Sequence, residues 1–411
     1  MSTFFSTSAT LPASDVPSIR DMADNPEPQP EDPFRGIPFL GDIAKAMSGQ
    51  GPINWDAARQ FAQLGATGGE QEPNVDPASR MALEALVPIA QMHVGDLTSS
   101  DLTGVDIVTL SRSQWAADTL DSYRPLFTDL ATALSGGDTT EDDATDPMAQ
   151  MMAGLSKMMA PAMLGMAVGS MVGDLSQRSF GIHDLPIPRN DSRLKLVGSN
   201  IDAFARQWEI PADEMRLWVL AHEFAGHAVL GSANFSSPLS TMVRQYVAAF
   251  RPDPEAVMEK LGGLDPSTGD PMEAIQQTLG DPTILLGAVS SAEQREMEPR
   301  LDATVAAVVG FTDWIVDAVS VRVVGGSALR IAEAVRRQRV EQSPSDVFVH
   351  RLLGIRLDDD QVRRGKQFVQ GVVDRVGDDV AIEMLLTGTD RCPTPSEIEA
   401  PGLWLARVSE S

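Results

Sequence analysis

Apolar residues recur at steps of three and four along most of the chain, the spacing of a helix that buries one face. The plainest stripe is Leu120, Tyr123, Leu126, Leu130 and Leu134. Ser111 stands where an N-cap belongs, so the spacing predicts one helix from there to about Leu134, with Trp115 near the stripe's edge. Upstream, 54–63 reads as a short helix. Pro77 opens a second through about Val94, kinked at Pro88 and carrying His93 near its end. Strand signal is sparse. The stretch 105–110 reads as a short strand or extended link, and 194–197 as a strand pairing with the neighbourhood of Ile187 in a small ribbon. Further helices are predicted over 200–208, 211–231, 239–250, 253–261, 271–278, 290–320, 327–340, 344–352 and 358–376. The closing PTPSEIEAPGLWLARV reads as a short helix and then an extended Trp404 segment packed back on the body. The expected fold class is mainly α with a small β element.

Three regions follow from this pattern. Residues 1–33, heavy in Pro, Ser and acid, are expected to be a disordered tail. Residues 34–180 form a helical N-terminal region, and 181–411 a second helical region containing the 211–231 helix. An acidic, turn-rich linker, GGDTTEDDATDP, precedes MAQMMAGLSKMMAPAMLGMAVGSMVG at 148–173. Gly165, Gly169 and Gly173 recur there every fourth residue, which favours close helix packing. Lys157 and Pro161 interrupt the apolar run before it can span a bilayer, so a buried helix is expected and not a stable membrane span. DATVAAVVGFTDWIVDAVS is apolar enough to be a central helix.

Composition narrows the function. Among 411 residues, 58 acids face 32 bases, a balance that weighs against nucleic acid or an anionic membrane surface as partner. The single cysteine, Cys392, rules out an intramolecular disulfide and a thiolate metal cluster. No charged n-region leads into an apolar block at the start, so the cytoplasm is the expected compartment. No repeat of 20–50 residues, serine elbow, Walker loop or dinucleotide fingerprint is present.

The richest chemistry lies in PADEMRLWVLAHEFAGHAVLG, residues 211–231. A zinc peptidase helix carries H-E-x-x-H, whose histidines lie about 40° apart and reach one ion while the glutamate polarises its water. Here the second histidine, His227, comes five residues after His222, and Gly226 holds the place four along. His222 and His227 are then about 140° apart on a regular helix, and only a π-bulge near 225–226 would bring them together. Glu223 and His227 share a face, and a polar pair inside an apolar helix is the plainer reading. His183, beside Asp184, reads as a loop anchor that could also reach a site. Asp313 and Asp317 share a helix face and would pair with Arg322 or hold a cation. The Arg336, Arg337 and Arg339 cluster fits salt bridging.

Several marks in order resemble one family: INWDAARQFA, MVGDLSQRSFG, IHDLPIP, LWVLAHEFAGHAVLG, VVGFTDWIVDAV, RLLGIRL and EIEAPGLWLARV. They are similar to the actinobacterial zincin-like proteins known as zinc-dependent metalloproteases or hydrolases. Part of that group is labelled coenzyme F420 biosynthesis-associated from gene context. The resemblance spans roughly residue 34 to the C-terminus and implies a zincin-like metallopeptidase fold. It places the first zinc histidine on His222, the general base on Glu223 and the second zinc histidine on Gly226. The downstream E-G-H falls on Val309, Gly310 and Phe311, which leaves one zinc ligand of three, fewer than catalytic zinc requires. The resemblance thus implies a degenerate zinc motif, a pseudoenzyme with no cofactor. Its expected role is binding, regulatory or structural, with a protein or peptide partner in the former cleft. Two alternatives stand beside it. One is a zinc hydrolase using His222, Glu223, a rearranged His227 and Asp313 or Asp317; the other is small-molecule binding in a remodelled cavity.

Overall fold

Helix α1 (Trp55–Thr67) starts where the Asn54 side chain accepts the backbone N–H groups of Asp56 and Ala57, an N-cap the apolar pattern alone does not reveal. The computed structural model describes residues 51–135, 147–189, 191, 193–251, 291–340 and 343–410, which fall in one unit, Met47–Ser411. The expected tail at 1–33, most of the acidic linker and the helices expected at 253–261 and 271–278 lie outside them.

Helix α2 (Pro77–Thr98) leads to strand β1 (Ile107–Thr109), then α3 (Arg112–Ser122) and α4 (Arg124–Ser135). The expected Ser111 cap is a full capping box with Gln114. Glu72 adds a carboxylate at the same helix start, accepting from Ser111 Oγ and the N–H groups of Arg112 and Ser113. One expected helix is two, broken at Tyr123, because Pro125 has no N–H to continue the ladder. The stripe itself holds: Leu120, Tyr123, Leu126 and Leu130 are buried, and so is Trp115.

Helix α5 (Pro147–Ser176) carries the small-residue stripe, and it lies against α1. The Gly165, Gly169 and Gly173 backbones meet the carbonyls of Asn54, Ala58 and Ala62, an approach no side chain permits. Strand β2 (Leu194–Leu196) pairs in parallel with β1, Ile107 opposite Leu194. The ribbon expected around Ile187 does not form, since Pro186 and Pro188 flank it and cannot donate to a ladder.

Helices α6 (Gly198–Gln207), α7 (Ala212–Leu230) and α8 (Ser236–Ala248) follow, then α9 (Ala292–Val323), whose start is another capping box at Ser291. The chain continues through α10 (Ala328–Val340), α11 (Pro344–Leu353) and α12 (Asp359–Val376). It ends in α13 (Asp378–Leu386), α14 (Pro395–Glu399) and α15 (Pro401–Ser409). The apolar pattern misses α13, a short helix. The Trp404 segment is helical, not extended, though Trp404 is buried as expected, with its indole N–H on the Arg391 carbonyl. Helix α9 packs against α7, α8 and α12 and forms the centre. Among the described residues it alone is long and apolar enough to cross a bilayer, and 67% of its apolar window is buried in the protein, as a core helix should be.

Candidate functional site

The site is built by α7 and by the loop 180–187 that crosses it. The loop is pinned from three sides. Trp115 donates its indole N–H to the Gly181 carbonyl at 3.0 Å, Tyr123 its hydroxyl to the Ile187 carbonyl at 3.1 Å, and Val197 its N–H to the Phe180 carbonyl at 2.8 Å. Within the loop, the Asp184 carboxylate accepts the N–H groups of Phe180 and Gly181, closing a tight turn.

That turn aims backbone donors at Glu223, which is fully buried. The Ile182 N–H reaches Glu223 Oε2 at 3.0 Å, and the His183 N–H lies 3.3 Å from both oxygens. His222 Nδ1 stands 3.4 Å from Oε1. Gly181 is needed here, because a Cβ on it would sit 2.5 Å from both Glu223 oxygens.

Helix α7 is α-helical throughout, with no π-turn at 225–226. The bulge that would have turned His227 toward His222 is not there. The His227 ring instead stacks on His183, centroids 6.2 Å apart and planes 9° from parallel. His183 in turn lies over Gly226, where a Cβ would come within 2.6 Å of its Cδ2. His222 stacks on Trp218 at 5.6 Å and 13°.

Asp184, His222 and Glu223 offer ligand atoms within 4.8 Å of one another, the one such group of three among the described residues. Charge in this group is governed by burial. Burial works to lower the His222 pKa, but the Glu223 hydrogen bond and charge, with Asp184 behind them, outweigh it and leave it raised. Burial and the Glu223 charge raise Asp184. Burial holds His183 well below the usual histidine range, helped by the charges of His222, His227 and Arg189.

Asp313 and Asp317 each pair with a basic residue of another helix, and neither pairs with Arg322. Arg339 holds Asp313 in a two-pronged ion pair at 3.1 and 3.2 Å, and Lys366 holds Asp317. Burial works to raise the Asp313 pKa, but the Arg339 charge outweighs it and leaves it lowered. The other arginines of the basic cluster, Arg336 and Arg337, both bridge to Glu333, the salt-bridging role expected of them.

A cavity of about 110 Å³ lies over this constellation, lined by His183, Asp184, His222, Gly226, Val309 and Asp313 among others. It adjoins an open groove of about 740 Å³; Trp218, Asp313, Val335, Arg339 and Val362 line both. The family resemblance implies zinc-site positions at His222, Glu223 and Gly226, while the residues read by themselves leave His183 as a loop anchor that could reach a site and give Arg339 to salt bridging. The one signal for the loop was a His-Asp pair tethered between glycine and prolines.

Comparisons with known proteins agree with this architecture. A structure from Chloroflexus aurantiacus, described as a putative hydrolase with a novel fold, is 21% identical, with a TM-score of 0.57 over 87% of this chain and 99% of its own. At that identity the likeness concerns the fold. No curated protein matches the chain. The sequence profile of the zincin-like metallopeptidases matches residues 53–405, so the chain belongs to the zincin-like metallopeptidase family.

Proposed function

We propose that this chain uses the zincin fold as a binding protein and does not hold catalytic zinc. The observation that carries the reading is the His183 ring over Gly226, in the space where a ligand four residues after His222 would stand. The remaining donors are a poor fit to the metal. Catalytic zinc needs about three protein ligands and an open position. Both Glu223 oxygens and Asp184 Oδ2 already accept backbone N–H groups, and Val309 offers no donor atom at the third-ligand position that the family resemblance implies.

Glu223 on this reading is structural. Its carboxylate holds the 181–184 loop instead of a water molecule, and His222, favoured in its charged form, balances it. The groove and cavity together then serve a ligand or a peptide segment. Thermal melting with and without excess zinc tests this. A ligand that binds the folded state alone raises Tm by mass action. No zinc-dependent rise is expected; a rise that saturates at one ion per chain, and disappears in His222→Ala, would overturn the reading.

A further inference from the structure

Helix α2 buries one face, through Leu83, Ala90 and Val94, and leaves an apolar one outside. Ala78, Met81, Ala85, Pro88 and Met92 recur along it at alternating steps of three and four. All five are exposed, as is Ile89 beside Pro88. Met81 is 63% exposed and Met92 54%. A stripe at this spacing is the seam along which one helix receives another. Exposed apolar bulk also gathers here. Of the eight large apolar residues exposed among those described, Met81, Ile89 and Met92 lie on this face, and Val380 stands on α13, which packs against α2. Clustered apolar exposure of this kind marks an interaction site.

The stripe is the same in side-chain size read from either end: small at Ala78 and Gly95, long at Met81 and Met92, small at Ala85 and Pro88. A twofold interface requires that symmetry, because each residue meets its counterpart from the other end. We infer that α2 is the contact face of a homodimer, in which two copies of this chain pair the helix antiparallel about a twofold axis between Leu86 and Val87. One register then sets Met81 against the partner's Met92, Ala85 against the partner's Pro88 and Ala78 against the partner's Gly95. The charges agree with it. The helix carries three charged residues, Arg80, Glu84 and Asp96, all exposed. This register brings Arg80 within one turn of the partner's Asp96 and sets Glu84 beside the partner's Gln91, so opposite charges approach and the glutamate faces no acid. Each copy carries a net charge of −26, but at physiological ionic strength charges more than about 8 Å apart are screened. A single helix pair is a small interface, so dissociation in about the micromolar range is expected. The contact lies apart from the α7 cavity, none of whose walls comes from α2.

Sedimentation velocity of the full chain from about 1 to 100 µM, in about 0.15 M salt, tests this. The sedimenting mass should rise with concentration from 44.1 kDa toward twice that value. Met81→Glu and Met92→Lys, both at exposed positions, should each weaken association about thirtyfold or more, as loss of an apolar anchor does. Combining them in one chain should restore it, because the register sets the two substituted positions against each other with opposite charges. Leu329→Lys, at an exposed apolar residue of α10, should change nothing. Circular dichroism checks that each variant is folded. A wild-type chain that stays monomeric throughout this range leaves the stripe to a different protein and overturns the inference. So does a dimer that both single variants leave intact, or one that Leu329→Lys abolishes. A double variant that associates no better than the single ones overturns the antiparallel pairing.

Discussion

His183 and Gly226 occupy one another's space: the imidazole lies on the helix surface that a side chain at 226 would need, within 2.6 Å of where its Cβ would stand. A glycine at this place in the helix is therefore a packing requirement of the loop. Gly226→Ala should destabilise the chain despite alanine's better helix propensity, worth about 1 kcal/mol in its favour. Gly226→His, which restores the metallopeptidase spacing, should cost about 1–3 kcal/mol through overpacking. Adding His183→Ala should recover part of that. Urea unfolding of the double-mutant cycle measures the coupling, and additive costs would show that the two residues do not compete.

Glu223 is expected to matter for folding. Glu223→Ala strands the Ile182 and His183 N–H groups and leaves His222 without its partner, at a cost of about 2–4 kcal/mol. Glu223→Gln keeps an acceptor oxygen and should cost less. If denaturant midpoints of both variants equal the wild type, the buried carboxylate is not holding the loop.

Much of this was legible beforehand. The helices follow from the three-and-four spacing, and the letters HEFAGH put Gly226 four residues after His222 and His227 five after it. Two kinds of feature were not. The pairing of β1 with β2 joins segments about ninety residues apart, and three-residue strands give periodicity too little length to register. The site's filling by His183 depends on where a loop is pinned by Trp115, Tyr123 and Val197, three contacts that no local pattern encodes. Asp313 illustrates the same limit. Its nearby arginine along the chain, Arg322, is the local choice, while the observed partner, Arg339, comes from the next helix.

That ion pair should be sensitive to losing one member. Asp313→Ala leaves Arg339 without its carboxylate at about a quarter exposure of its side chain. Water reaches it there, so the expected cost is about 1–3 kcal/mol, below that of a fully buried pair. Asp313→Leu with Arg339→Met should regain most of it. Differential scanning calorimetry compares the variants; a double variant less stable than the single one would contradict this expectation.

The histidines set a pH dependence. His183 and His227 have lowered pKa values in the folded chain, chiefly from burial. Their contribution is complete above the unfolded value of about 6.5 and is lost as pH falls through the folded values. His222, being raised, acts in the opposite sense, contributing below about 6.5 and losing that as pH rises. His350 is lowered as well, so three groups stand against one, and unfolding free energy should fall between about pH 6.5 and 5.5. The fall should shrink in His183→Phe. Urea titrations at both pH values check this, and an unchanged slope in the variant would show that His183 is not held neutral by burial.

Metal content is the most direct test of the central claim that the 181–184 loop has taken the zinc position. The full chain, purified without an affinity tag, would be dialysed against trace zinc and measured by inductively coupled plasma mass spectrometry. We expect a zinc-to-chain ratio near zero, unchanged in His222→Ala. A ratio near one that collapses in His222→Ala would contradict it, and the site would then be a metal centre assembled from His222 and its buried carboxylate neighbours.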